Sequence, residues 1–143
     1  MLKRLAVVLG ALALTSGLML AGAGSASAAD KKQYPTCGKG GFCVWESYDG
    51  DTSYRHRTEG NAPWPSGFKN DDYLWRNNGY YQPGADHVRV YNAAPPGGVD
   101  VVTLCIHRGH QGGQGDNADT RNAAGKGDFH RWGGECSSSE PQL

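Results

Sequence analysis

The chain has 143 residues, with 14 lysines and arginines against 14 aspartates and glutamates, and 22 glycines. This balance excludes the basic footprint of a nucleic-acid binder and the acidic excess of a solvating tail. The length allows one small domain with a modest core, in which covalent staples would carry weight.

Residues 1–28 read as a secretory leader. Lys3 and Arg4 form the charged start, residues 5–20 the apolar stretch, and Ala26-Ser27-Ala28 the small residues at a cleavage site. Removing 28 of the 143 residues leaves 115, and the 14 basic residues become 12 against 14 acidic ones, a net charge of −2. No other stretch approaches the ~18 apolar residues of a membrane span, so no membrane contact is expected after cleavage. The exported part holds all four cysteines, Cys37, Cys43, Cys105 and Cys136. An even count in an oxidising compartment implies two disulfides. Three pairings are open in principle; Cys37 with Cys43 and Cys105 with Cys136 is the one expected, because the first pair lies so close in sequence.

Residues 29–36 are polar and read as a flexible segment, followed by a domain over residues 37–136. Short runs rich in Val, Tyr, Trp and Phe alternate with Gly, Asn, Asp, Pro and Ser, and helical spacing of apolar residues is hard to find. Many short strands joined by turns are predicted, as in a sandwich or barrel. The first strand is expected over residues 42–48 and its partner over 52–56, joined by the Tyr48-Asp-Gly-Asp turn. Pro63 and Pro65 bar residues 61–67 from a central strand. Residues 70–72 are a turn, 73–75 a short apolar run, and 77–79 a further turn. Residues 87–92 alternate, with Val88 and Val90 on one face and Arg89 and Tyr91 on the other. Residues 93–98 form a turn and residues 99–107 a β-branched strand. The glycine-rich stretch 109–127 reads as a long loop, 129–132 as a segment docking back, and 137–143 as a frayed, disordered tail.

Two units share a pattern of an aromatic at a strand end, a Gly-terminated turn and another strand: Val44-Trp45-Glu-Ser-Tyr48-Asp-Gly50, and Val90-Tyr91-Asn-Ala-Ala-Pro-Pro-Gly97-Gly98. They point to an all-β fold, a small sandwich of two Greek keys with two disulfides. The opening Cys37…Cys43-Val-Trp-Glu-x-Tyr-x-Gly50 and the later Val88-Arg-Val-Tyr91-Asn…Gly97-Gly98 resemble the Streptomyces-type metalloproteinase inhibitors, peptidase inhibitor family 36. The resemblance spans about residues 36–107 and implies a βγ-crystallin-like fold. It also implies a secreted, extracellular, monomeric inhibitor of thermolysin-like zinc proteases, which blocks the active site with a disulfide-braced loop. On that resemblance Cys105-Ile106 looks like the reactive bond, with Ile106 entering the apolar pocket of the protease. The alternative is a non-inhibitory βγ-crystallin-like module of the cell envelope that binds glycans or serves a structural role.

No catalytic residues are expected: neither G-x-S-x-G nor H-E-x-x-H occurs. No metal or other cofactor is expected either. His107, His110 and His130, with Asp116, Asp119 and Asp128, read as polar loop residues, because a glycine-rich loop offers no rigid frame for convergent ligands. Asn70-Asp71-Asp72 lies where a calcium loop of βγ-crystallins often sits. Leu74 and Trp75 stand where that loop would need oxygen ligands, so a solvated turn is expected. Of Trp45, Trp64, Trp75 and Trp132, most should be core, and Trp64, between two prolines, should be the exposed one.

Overall fold

A computed structural model describes residues 35–46 and 55–143. The expected leader and the expected Tyr48-Asp-Gly-Asp turn lie outside the described residues. The compact unit Lys32–Leu143 is built from β1 (Phe42–Trp45), β2 (Arg55–Thr58), β3 (Ala62–Pro63), β4 (Leu74–Asn77), β5 (His87–Asn92), β6 (Val101–Ile106), β7 (Gln111–Gly113), α1 (Ala118–Ala123) and β8 (Phe129–Gly133). The strands form two antiparallel sheets, ordered β2-β1-β4-β7 and β3-β8-β5-β6. The halves are topologically equivalent. β1, β2 and β4 make one sheet and lend β3 to the other; β5, β6 and β8 make the second and lend β7 back. The all-β sandwich expected from the turn spacing is the fold observed, and the repeat of strand order matches the two units read in the sequence.

Strand alternation explains the core. Phe42, Val44 and Trp75 of the first sheet meet Val88, Val90, Leu104 and Ile106 of the second, with Trp64, Phe68 and Ala123 completing the cluster. The opposite face of the first sheet carries Cys43, Trp45 and Leu74, packed with Cys37. A central strand with both faces covered therefore has no exposed side chain: all of β1 is buried. Cys37–Cys43 staples this outer cluster, and Cys105–Cys136 joins β6 to the segment after β8.

Three local expectations are corrected. The stretch 109–127 is not a featureless loop. It holds β7, with two glycines among its three residues, and the six-residue α1. Helix α1 starts with a capping box, in which Asn117 Oδ1 accepts from the Thr120 N–H (2.7 Å) and Thr120 Oγ1 accepts from the Asn117 N–H (3.0 Å). Residues 137–143 are not frayed. Cys105 N–H donates to Pro141 O (2.8 Å), Leu143 N–H to Cys105 O (2.9 Å) and His107 N–H to Leu143 O (2.8 Å), a short parallel pairing along the edge of β6. Arg89 Nε and Nη2 reach Glu140 at 2.7 and 3.1 Å, and this pairing holds the Glu140 carboxyl below its usual pKa. Trp64 is not exposed: it is 3% accessible, because its ring lies against Phe68 and Gly127 and its N–H donates to His130. Pro63, as expected, stands on an edge strand.

Candidate functional site

The expected reactive dipeptide occupies the stapled half of β6. Cys105 and Ile106 are both 0% accessible. Ile106 is in the intersheet core, the Cys105 carbonyl accepts from Leu143, and the Ile106 carbonyl accepts from Asn77 Nδ2 at 3.0 Å. The peptide between them is covered by the C-terminal segment on one side and the core on the other. As folded, Cys105-Ile106 is a structural element and not a presented bond. The same burial makes Cys43-Val44 core.

The other half of β6 is different. Residues 93–100 connect β5 to β6 through Pro95-Pro96-Gly97-Gly98. Gly98 N–H donates to Pro95 O at 2.9 Å and Gly97 has φ 86°, the geometry of a type II turn with Pro second and Gly third. A side chain at Gly97 would be strained, so glycine is required there. Asp100 Oδ1 accepts from the Ala94 N–H (3.2 Å), Asp128 Oδ2 from the Ala93 N–H (2.8 Å), and Arg131 reaches Asp100 at 3.5 Å. The turn is thus tied at its base. Beyond it the register slips: Val90 faces Leu104 but Tyr91 faces Val102, which leaves Thr103 as the extra residue of a bulge, its hydroxyl donating to Val90 O. Val101, opposite Asn92, and Val99, just before β6, lie past the core that holds Leu104 and Ile106 and are 62% and 84% exposed. Strand β6 ends its sheet, and among the described residues the outer backbone edge of 101–103 pairs with no further strand. Beside it, Tyr91 and Phe129 stack with centroids 4.9 Å apart, and the Arg131 guanidinium lies 5.2 and 5.0 Å from their ring centres.

The buried Asp72 and His130 serve the scaffold. Asp72 Oδ1 accepts from the Lys126 and Gly127 N–H groups (2.9 and 2.7 Å) and Oδ2 from Trp75 Nε1 (2.8 Å), so the residue clamps the end of the α1 segment to β4. Burial nonetheless raises its pKa to about 6. Asp72 is thus a buried internal tie, where the sequence predicts a solvated turn. His130, also fully buried, has its pKa lowered to about 4 by burial. It sits in the core rather than with His107 and His110. A further cleft of about 360 Å³ is lined by Tyr80, Trp132, Asn61, Gln82 and Glu59 among others, with Tyr80 and Tyr81 64% and 71% exposed. The sequence reading missed both the open half of β6 and this cleft. The flanking Pro-Pro-Gly-Gly turn was the only signal for the first, and Gly79-Tyr-Tyr, a tyrosine pair after a turn, for the second. Comparison of the chain with protein-family models, curated proteins and solved structures finds no match.

Proposed function

We propose that this chain is an exported protein inhibitor of secreted zinc proteases, and that its contact is the β5–β6 hairpin and not Cys105-Ile106. The supporting observation is the exposed pair Val99 and Val101, the first just before β6 and the second opening its free edge, directly after a base-tied turn. Proteases of this class bind extended chains and seat a branched apolar side chain beside the scissile bond. An edge strand offers its backbone in that form, with side chains i and i+2 on one side. Two disulfides hold the scaffold, so docking orders little that is not already ordered. The resemblance of the opening motif to metalloproteinase inhibitors supports the same reading.

The test is inhibition of thermolysin by the oxidised chain, beside Val99→Asp and Val101→Asp. Seating one branched side chain is worth about 1.5–3 kcal/mol, so each substitution should weaken inhibition at least about tenfold at unchanged near-ultraviolet circular dichroism. Absence of inhibition by the folded chain overturns the reading; inhibition untouched by both substitutions moves the contact elsewhere.

The alternative, a glycan-binding module of the cell envelope, is favoured by the Tyr80–Trp132 cleft, where aromatic rings stand beside the amides of Asn61 and Gln82 and the carboxylate of Glu59. Co-sedimentation with peptidoglycan, lost in Tyr80→Ala, would support it.

A further inference from the structure

His87 opens β5 and its side chain is 7% exposed; His107 follows β6. The two rings meet with His87 Nε2 only 2.9 Å from His107 Nδ1. Their other nitrogens fix which atoms carry hydrogen. Gln142 Nε2 donates to Ser137 O at 2.7 Å, which turns Gln142 Oε1 toward His107 Nε2 at 3.1 Å. An amide oxygen only accepts, so His107 carries its hydrogen on Nε2 and presents a lone pair at Nδ1. Asp86 Oδ1 lies 2.9 Å from His87 Nδ1, so His87 carries a hydrogen there, and the neutral ring presents a lone pair at Nε2. A carboxylate oxygen of Glu135 stands 3.1 Å from the same Nε2. His107 Nδ1 and the Glu135 carboxylate thus both approach His87 Nε2, and these electron pairs call for a cation there, either a second ring proton on His87 or a bound metal ion.

We propose that His87 Nε2 and His107 Nδ1, joined by the exposed Glu135 carboxylate once it swings onto them, form a binding site for a divalent transition-metal ion of the kind imidazole prefers, such as Zn²⁺ or Ni²⁺. Two nitrogens held at about 2.0–2.1 Å by one ion lie roughly 3 Å apart, close to the separation observed. Asp86 and Gln142 fill the outer positions that normally set ring orientation in histidine metal sites, and Arg108 Nε, 3.4 Å from Asp86 Oδ2, steadies the first of them. The Glu135 side chain is 83% exposed, which gives the ion a way in and lets the carboxylate swing onto it. The His110 ring, 5.4 Å from that of His107, or a water completes the coordination. Cys136 lies beside the rings, but its sulfur is committed to the disulfide and supplies no thiolate. Nitrogen donors select against Ca²⁺ and Mg²⁺. Such an ion joins the start of β5, the end of β6 and the segment after β8, and the site is independent of the inhibitor reading.

The experiment is a calorimetric titration of the oxidised, chelator-treated chain with ZnCl₂ and NiCl₂ at neutral pH, with nitrogen NMR of the histidine rings and thermal melts alongside. One ion per chain, a raised Tm, shifts confined to His87 Nε2 and His107 Nδ1 among the ring nitrogens of this pair, and no response to CaCl₂ are expected. Affinity should fall at least about tenfold in His107→Gln, and by less in Glu135→Gln. Glu135 is exposed and its substitution does not threaten the fold, so the test survives a failure of His107→Gln. Absence of uptake, with ring shifts of an imidazolium sharing its proton, overturns the proposal; so does uptake unchanged in both variants.

Discussion

The indole N–H of Trp64 donates to Nδ1 of His130 at 2.9 Å, which places the hydrogen of His130 on Nε2, facing Gly60 O at 2.9 Å and Thr58 Oγ1 at 2.6 Å. The neutral ring is fully used, and protonation would place a donor against the indole N–H. His130 titrates from an ordinary 6.5 to about 4 in the fold, so between those values the unfolded chain binds more protons and stability falls as pH falls. Asp72 works the other way. Its carboxyl rises from 3.8 to about 6, so the folded chain binds more protons in that window and stability rises as pH falls. Each contribution is about 3 kcal/mol, and the two nearly cancel. Urea unfolding across this range should therefore show a shallow slope for the native chain from these groups. Asp72→Asn should lose stability on acidification, His130→Gln should gain it, and parallel profiles for all three proteins would refute the account.

The two disulfides close loops of very different length, with sequence separations of 6 for Cys37–Cys43 and 31 for Cys105–Cys136. The chain-entropy model gives about 2 kcal/mol for the short loop and about 4 kcal/mol for the long one. Paired Cys→Ala replacements, compared by denaturant midpoint, should rank in that order. The reverse ranking would mean that the outer cluster of Trp45 and Leu74 depends on its staple more than the tail does on its own.

The sandwich was readable because its signals are local: alternation in Val88–Val90, prolines that bar residues 61–67 from a central strand, and turn glycines between β-branched runs. What was not readable depends on contacts across the fold. Strand β7 has glycine where strand formers usually stand and exists because β4 needs a partner on that edge. Helix α1 is too short for a periodic face, and its capping box uses Thr120 where Glu or Gln is the usual signal. The C-terminal segment looks polar in sequence, yet the free edge of β6 and the Arg89 guanidinium recruit it. The burial of Ile106 follows from its place opposite Val88 in the core, and the register slip at Thr103 is announced by no spacing in the sequence.

Ile106 is accordingly a packing residue. Ile106→Val should cost about 0.5–1.5 kcal/mol of stability and leave the proposed protease inhibition unchanged once folding is matched. A selective loss of inhibition at full stability would return the contact to Cys105-Ile106.

Arg89 also donates to the Gly134 and Glu135 carbonyls, at 2.9 and 2.6 Å, besides holding Glu140. A lysine cannot reproduce four contacts from a planar fork. Arg89→Lys should expose residues 137–143 to proteolysis and amide exchange while the exchange of the β1 amides stays slow; a tail as protected as before would show that Cys105–Cys136 and the Leu143 pairing suffice to hold it.

Gly112 and Leu143 supply the most direct check on the docked terminus. A Cβ at Gly112 would overlap the Leu143 side chain, which packs against the core cluster from the end of the chain. Gly112→Ala should therefore destabilise, by up to about 1 kcal/mol because the Leu143 side chain can shift, against the small gain that removing a glycine's freedom usually brings. Leu143→Ala opens room for the new methyl, so the double variant should be more stable than the sum of the two single losses, a coupling that denaturant unfolding of the four proteins can resolve. Strict additivity would mean that Leu143 does not lie over β7 in solution, and that the terminus is held by Glu140 and the backbone bonds to β6 alone.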